Sequence, residues 1–363
     1  MNHGWNKKKL GELTDFKYGY PFDSKKFNMD CNGMPLIRIR DVVPGRTSTY
    51  YDGEFSDEYI IKSGDYLIGM DGEFNIARWN SYEALLNQRV CKVMSADNNV
   101  MLNQFLYFFL KIELKRIEEY TPFVTVKHLS AKTLNNIIIP IPPLNIQNKL
   151  VSELDKINEL IGVKRSQLKD LDALAQSLFY ETFGEPIDNP KGWETEKFGN
   201  ICELSAGGDK PADTQKEMNA ERNIPVYSNG IDNEGLYGYT SEPRITKPSL
   251  TISGRGTLGV PFIRKTPYVP IIRLIVAIPT SVVNLSFLYY LVKIMKFGGK
   301  GAAIPQLTVP MVKDVVLPVP PLALQQQFAE RIEAIEEQKR RVEASIADLK
   351  TLLASRMDYW FND

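Results

Sequence analysis

The strongest constraint on the fold is a phrase that the chain uses twice. Ile139-Pro140-Ile141-Pro142-Pro143-Leu144 and Leu317-Pro318-Val319-Pro320-Pro321-Leu322 lie 178 residues apart, and each opens a long stretch with heptad spacing. The beginnings of the two halves match as well. Gly4-Trp5 with Lys9-Leu10-Gly11-Glu12-Leu13 is echoed by Gly192-Trp193 with Lys197-Phe198-Gly199-Asn200-Ile201. A repeat of this period implies a duplicated architecture, two globular domains and two helices, doing one job at two places.

The helices follow from periodicity. Leu150, Leu154, Ile157, Ile161, Lys164, Leu168, Leu171, Ala175 and Leu178 alternate steps of four and three, as do Phe328, Ile332, Ile335, Lys339, Val342, Ile346, Leu349 and Leu353. This is the seam of a coiled coil. Each helix starts at its Pro-Pro-Leu phrase, because proline deeper inside would break it. Two seams of equal length predict pairing with each other rather than separate packing on their own domains. A single lysine in each seam, Lys164 or Lys339, either fixes register or snorkels outward. A helix over about 146–182 is roughly 55 Å long at ~1.5 Å per residue. Laid antiparallel, such a pair would relate the domains by a pseudo-twofold and span roughly 16 base pairs of B-DNA.

Composition narrows the class. Of the 363 residues 43% are apolar and 10% aromatic, ample for packed cores. Cys31, Cys91 and Cys202 stand far apart, and the histidines are only His3 and His128, which speaks against disulfides and zinc. The first residues lack an apolar signal core and no run is long and apolar enough to span a bilayer, so a cytoplasmic protein is expected. Net charge is zero, but between Pro243 and Lys313 there are ten Lys or Arg and no Asp or Glu. The two globular stretches are slightly positive and the helical stretches slightly negative, and a one-sided basic run is the footprint of a phosphate-facing surface.

Within the first half, Pro35 to Arg40 alternates like a half-buried strand, and Ile60 to Gly69 reads as strand, Ser63-Gly64-Asp65 turn, strand. Leu102 to Ile117 is predicted as a helix. The second half has Leu250 to Ser253 as a strand and Leu285 to Met295 as the matching helix. The predicted fold class is mixed α+β.

Signatures of catalysis are missing. No GxxxxGK[ST] loop is present, and the glycines of 69–72, 254–259 and 298–301 do not match a dinucleotide fingerprint, which leaves them as turn glycines. Carboxylates are scattered rather than clustered as a metal-dependent nuclease requires. The Pro-Pro phrases lack the aromatic of an Asn-Pro-Pro-Tyr motif.

The arrangement resembles the specificity subunit of type I restriction–modification systems. The residues that carry the likeness are Ser63-Gly64-Asp65-Tyr66-Leu67-Ile68-Gly69-Met70-Asp71-Gly72, then Ile252-Ser253-Gly254-Arg255-Gly256-Thr257-Leu258-Gly259, the stretch 298–307 (GGKGAAIPQL), and Leu317 to Leu322. The likeness spans nearly the whole chain and implies four segments: a first target recognition domain at 1–143, a spacer helix at 144–184, a second recognition domain at 185–321 and a second spacer helix at 322–363. One departure stands out. The family follows Pro-Pro-Leu with Glu-Gln, whereas Asn145-Ile146-Gln147 and Ala323-Leu324-Gln325 keep only the Gln, forgoing roughly 0.3–1 kcal/mol of helix-dipole stabilisation.

The resemblance implies a non-catalytic subunit that reads a bipartite, asymmetric double-stranded DNA target with a fixed gap. Its implied partners are two methyltransferase subunits and, through them, motor–nuclease subunits. S-adenosylmethionine and ATP with magnesium would belong to those partners, so no cofactor, metal or membrane is expected for this chain. Within the same plan, the DNA-reading subunit of a type IIB-like restriction–methylation enzyme is an alternative. From a different class, a non-catalytic protein-binding scaffold is another.

Candidate DNA-binding residues in the first domain are Arg38, Arg40, Asp71, Arg78 and Lys127. In the second they are Arg244, Lys247, Arg255, Arg264, Lys265, Lys300 and Gln306. Aligning Tyr66-Leu67-Ile68 with Leu250-Thr251-Ile252 sets Asp71 opposite Arg255, each just before a glycine. Arginine pairs with guanine, aspartate accepts from the cytosine amino group and glutamine suits adenine, so unlike residues at like places would make the target asymmetric. The lysines suit phosphates. An ordinary turn aspartate and a solvated arginine are the competing reading.

Overall fold

The computed structural model describes residues 4–121, 127–295, 297 and 306–361. The chain divides into two compact units, 1–163 with 346–363 and 164–345, so that both long helices belong partly to each. The α-helices of the described residues are α1 (Asn103–Tyr120), α2 (Ala131–Asn136), α3 (Leu144–Phe183), α4 (Phe198–Ile201), α5 (Leu285–Met295), α6 (Val309–Lys313) and α7 (Leu322–Phe361).

In the first unit a four-stranded antiparallel sheet runs in the order Thr14–Tyr18, Val90–Ser95, Tyr66–Gly69, Asn75–Arg78. Its alternation serves two buried faces. Tyr66, Ile68, Ile76, Cys91 and Val93 pack on Phe105, Leu106 and Phe109 of α1. Leu67 and Val90 point the other way, onto Ile37, Ile61, Trp79 and Leu86. Each such side chain, fully buried, contributes roughly 1.5–3 kcal/mol. A five-stranded mixed sheet of short strands, built on Met34–Ile37 and Ala84–Leu86, covers that second face. Asn6–Lys9 pairs antiparallel with Ile138–Ile141, bringing the start of the unit beside the residues that lead into α3.

The second unit repeats the plan. Its four-stranded sheet has the order Cys202–Ala206, Ile275–Pro279, Ser249–Ile252, Pro261–Arg264. α5 stands where α1 does, with Phe287, Leu288 and Leu291 buried. Thr195–Lys197 pairs with Val316–Pro318 ahead of α7, as Asn6–Lys9 does ahead of α3. The fold is mixed α+β, two β-rich domains with the long helices packed together, as the sequence led us to expect.

The helix expectations hold closely. The apolar seam residues of α3 and α7 are buried, except that Leu168, Leu349 and Leu353, like the two seam lysines, are only partly so. In the second unit Asp172 pairs with Lys339 at 2.9 Å, while Phe179 and Phe183 pack on Phe328 at ring distances of 5.7 and 5.1 Å. Advancing along α3 thus means retreating along α7, and the pair is antiparallel. The two seam lysines differ. Lys339 is partly buried and bound to Asp172 and Glu336, whereas Lys164 reaches Gln167 at 3.3 Å on its own helix.

The last turn of each long helix closes a core. Phe361, at the end of α7, meets Phe105 and Phe109 of α1 at 5.6 and 5.9 Å. Phe183, at the end of α3 and 178 residues earlier, meets Phe287 of α5 at 4.8 Å. One strand is shorter than expected. Met34–Ile37 stops before Arg38, and Ile39–Asp41 forms a 3-10 turn in which the Asp41 carboxylate accepts from the Arg38 N–H at 2.9 Å. The alternation of Ile37, Ile39 and the two arginines therefore imitates a strand that the local aspartate cap ends.

Candidate nucleic-acid interface

The candidate surface is built where strand ends meet. In the first unit Tyr66–Gly69 ends and Val90–Ser95 begins at the same end of the sheet. The Met70 N–H donates to the Arg89 carbonyl at 2.9 Å, Leu129 N–H to the Met70 carbonyl at 2.7 Å, and Gly72 N–H to the Lys127 carbonyl at 2.9 Å. These bonds bring residues 70–72, 87–89 and 127–129 together. A cleft of about 270 Å³ alongside is lined by Arg38, Ile39, Arg40, Asn87, Gln88 and Arg89.

The second unit holds equivalent loops with equivalent bonds. Gly19 N–H to Val90 carbonyl (3.0 Å) is matched by Gly207 to Leu274 (2.7 Å), and Gln88 to Tyr20 (2.8 Å) by Ile272 to Gly208 (3.0 Å). Leu129 to Met70 (2.7 Å) is matched by Leu307 to Gly254 (2.8 Å), and the parallel bridge Tyr20–Asn87 by Gly208–Ile271. This register sets Arg89 against Arg273, Asp71 against Arg255, and His128 against Gln306. Asn229 adds a tie of its own, accepting from Gly254 N–H and donating to the Ile272 carbonyl, both at 2.7 Å.

Both arginines sit in the left-handed region, Arg89 at φ 70° and Arg273 at φ 63°, and Gly72 and Gly256 follow their partners at φ 75° and 68°. A non-glycine residue there is held against a steric cost. Arg89 and Arg273 were not among the residues singled out from sequence. The signal available was an arginine just before each repeated apolar strand, and it was too short to see without the register.

The sequence-derived candidates fall into distinct surroundings. Arg38 and Arg40 are exposed at the cleft. Asp71 is not a free loop tip, because Oδ1 lies 2.5 Å from His128 Nδ1 and Oδ2 lies 3.4 Å from Arg89 Nε. Arg78 lies on the helix-packed side of its sheet, where its charge offsets the burial that raises the Asp155 carboxyl on α3. Lys127 donates to the Glu118 carbonyl at 2.5 Å.

In the second unit Arg255 and Gln306 are exposed at the equivalent loops, with Arg244 donating to the Asp209 carbonyl at 2.8 Å. Lys247 is exposed 3.9 Å from Glu203. Lys265 edges a cleft of about 780 Å³ that Glu330, Glu333, Glu336 and Glu343 also line, a negative neighbourhood. Lys300, like His3 and the stretch 298–305, lies outside the described residues.

Arg264 is buried, unlike the other described candidates of its basic run. It is 4% exposed, stacked 3.5 Å from the Tyr227 ring, with Nε donating to Thr251 Oγ1 at 3.1 Å and Nη1 to Glu234 at 3.0 Å. Burial lowers its pKa while Tyr227 and Glu234 resist the shift. A guanidinium so enclosed packs within its own domain and presents little surface to a ligand.

Little here resembles catalytic chemistry. The Cys91 and Cys202 thiols are pushed up to about 12 by burial, far from a reactive thiolate. Among the described residues no three His, Cys, Asp or Glu are grouped to hold a metal, and no helix is long and apolar enough to cross a membrane.

A family model described as "Type I restriction modification DNA specificity domain" matches residues 2–172 and 190–350, one copy on each half. The chain belongs to this family. A putative type I specificity subunit of Mycoplasma pneumoniae is 32% identical over 337 residues, 90% of this chain and 88% of that protein. The EcoBI specificity subunit of Escherichia coli is 37% identical over 171 residues, 47% of this chain, and the match spans 36% of that protein. Among solved structures, the S subunit of the type I restriction–modification system from M. genitalium aligns over 100% of this chain and 97% of its own, with TM-score 0.61 and 17% identity. A chain from a study of complex assembly in the type I system aligns over 99% and 98%, with TM-score 0.57 and 19% identity. At these identities the likeness concerns the fold. Within the family, the chain is a DNA specificity subunit, a non-catalytic component of a type I system.

Proposed function

We propose that this chain reads a bipartite, asymmetric sequence in double-stranded DNA, one half-site with each β-rich domain, and docks two methyltransferase subunits that in turn recruit motor–nuclease subunits. The observation that carries this reading is the pair of equivalent loop clusters. Their backbones keep one register while Asp71 and His128 give way to Arg255 and Gln306. One scaffold holding different side chains at matching places suits two readers of two different half-sites. A fixed gap between half-sites is supported by α3 and α7, each uninterrupted over 40 residues. S-adenosylmethionine and ATP with magnesium belong, on this reading, to the partner subunits.

The test is a domain exchange in the native host. Residues 1–143 are replaced by the corresponding segment of a relative, and methylated adenines are mapped across the genome. One half of the methylated motif is expected to change and the other to persist. If both halves change, or if no methylation depends on the chain, the reading is wrong.

A further inference from the structure

The geometry points to Arg89 and Arg273 as matching DNA-contacting residues, one in each recognition domain, with Asp71 a positioning residue that presents Arg89 to a base. This inference rests on the DNA-reading proposal and names groups that do the reading.

Three observations carry it. First, the register places both arginines at the same point, and both keep an arginine at positive φ, where glycine would be free of strain. A side chain kept twice at such a site has a use that the backbone alone does not explain. Second, both are exposed beside the residues that differ between the domains, Asp71 and His128 in one, Arg255 and Gln306 in the other.

Third, the first cluster is ordered from behind. The Asp71 side chain is 22% exposed, against 50% for Arg89 and 46% for His128. His128 Nδ1 lies 2.5 Å from an Asp71 carboxylate oxygen, within hydrogen-bonding distance. Arg89 Nη1 lies 3.1 Å from the same nitrogen, so this edge of the guanidinium is taken up within the cluster. Asp71 thus contacts Arg89 at Nε and His128 lies against Nη1, so that Nη2 is the guanidinium nitrogen left to donate to a base. In the second cluster Arg255 replaces the carboxylate, and among the described residues no such anchor holds the two guanidiniums and the amide.

The experiment uses the full chain in complex with its methyltransferase subunits and duplexes carrying the methylated motif that the wild-type chain directs. The variants are Arg89→Gly, Arg273→Gly, Arg89→Lys, Asp71→Asn and the double variant, because glycine tolerates the left-handed backbone and spares the fold. Lys25→Ala, on an exposed turn and without a side-chain contact to the cluster, is the control. Thermal melting confirms folding.

Arg89→Gly is expected to weaken binding to the cognate duplex at least tenfold and to erase discrimination at one half-site only. Arg273→Gly should weaken binding to a similar extent and affect the other half-site. Arg89→Lys should not restore discrimination, and Asp71→Asn should add less than twofold in the Arg89→Gly background, since it acts through that arginine. The inference is overturned if either glycine variant stays within twofold of the control. It is also overturned if Arg89→Gly weakens all duplexes equally, which marks a phosphate contact, or if Asp71→Asn is fully additive. A wild-type complex with no preference among duplexes would instead sink the specificity-subunit reading itself.

Discussion

Gln147 and Gln325, 178 residues apart, make the same set of hydrogen bonds from fully buried positions. Gln147 Oε1 accepts from the Leu102 N–H at 2.9 Å, and its Nε2 donates to the Val100 and Pro142 carbonyls, each at 2.9 Å. Gln325 Oε1 accepts from the Asn284 N–H at 2.8 Å, and its Nε2 donates to the Val282 and Pro320 carbonyls at 3.2 and 2.7 Å. Each amide therefore ties the start of a long helix to the backbone entering the core helix of its domain, α1 or α5. This accounts for the glutamine that follows both Pro-Pro-Leu phrases, a residue that periodicity leaves unexplained.

Replacing Gln147 by Leu keeps the bulk and orphans one N–H and two carbonyls in a buried site. The loss is expected to be roughly 2–5 kcal/mol, from the cost of unsatisfied buried polar groups. Urea unfolding of Gln147→Leu and Gln325→Leu checks it, and a shift under 1 kcal/mol in both would show that water replaces the amide.

Acid should loosen the first unit's helix contact. Glu153 of α3 accepts from the Arg356 guanidinium, with a second contact at 3.1 Å and a hydrogen bond from Trp360 Nε1 at 3.1 Å. Arg356 and then Trp360 hold its carboxyl below the ordinary value of 4.5 despite partial burial. A carboxyl lowered on folding contributes stability that is complete above its unfolded pKa and is lost as pH falls through the folded value. The melting difference between wild type and Glu153→Gln is thus expected to be constant above about pH 5 and to shrink below 4.5. A difference that grows on acidification would contradict this pairing.

Lys339 tests whether the seam's ion pair stabilises or specifies. Its amine is raised above the usual lysine value by Asp172 and Glu336, which outweigh the burial that opposes them. Lys339→Met replaces a partly buried charge by apolar bulk and is expected to change stability by no more than about 1 kcal/mol, since desolvation offsets much of such a pair. A loss above 3 kcal/mol would mean that the pair is a principal source of stability.

Arg264→Ala should act on folding. Removing a guanidinium packed on Tyr227 leaves a void, and a loss of about 2–4 kcal/mol is expected, as for large-to-small core changes. Folded protein, selected by melting behaviour, should keep its DNA discrimination. A variant of wild-type stability that fails to discriminate would return Arg264 to the reading surface.

The amino-acid sequence determined the duplication, both long helices to within a few residues and most of their seam, because heptad spacing and proline punctuation are local and repeat over many turns. It also marked Asp71 and Arg255 as counterparts, since each follows a recognisable strand and precedes a glycine. The tertiary structure alone decided the rest. Arg89, Asp71 and His128 come together through strand pairing across long stretches of chain, and no local pattern encodes which loops will meet. Arg264 and Lys265 are neighbours in one basic run, yet one is enclosed and the other exposed, because Arg264 ends a strand packed on Tyr227 and Lys265 lies beyond it. The buried glutamines make the same point: a polar side chain's role depends on which backbone groups the fold brings within its reach.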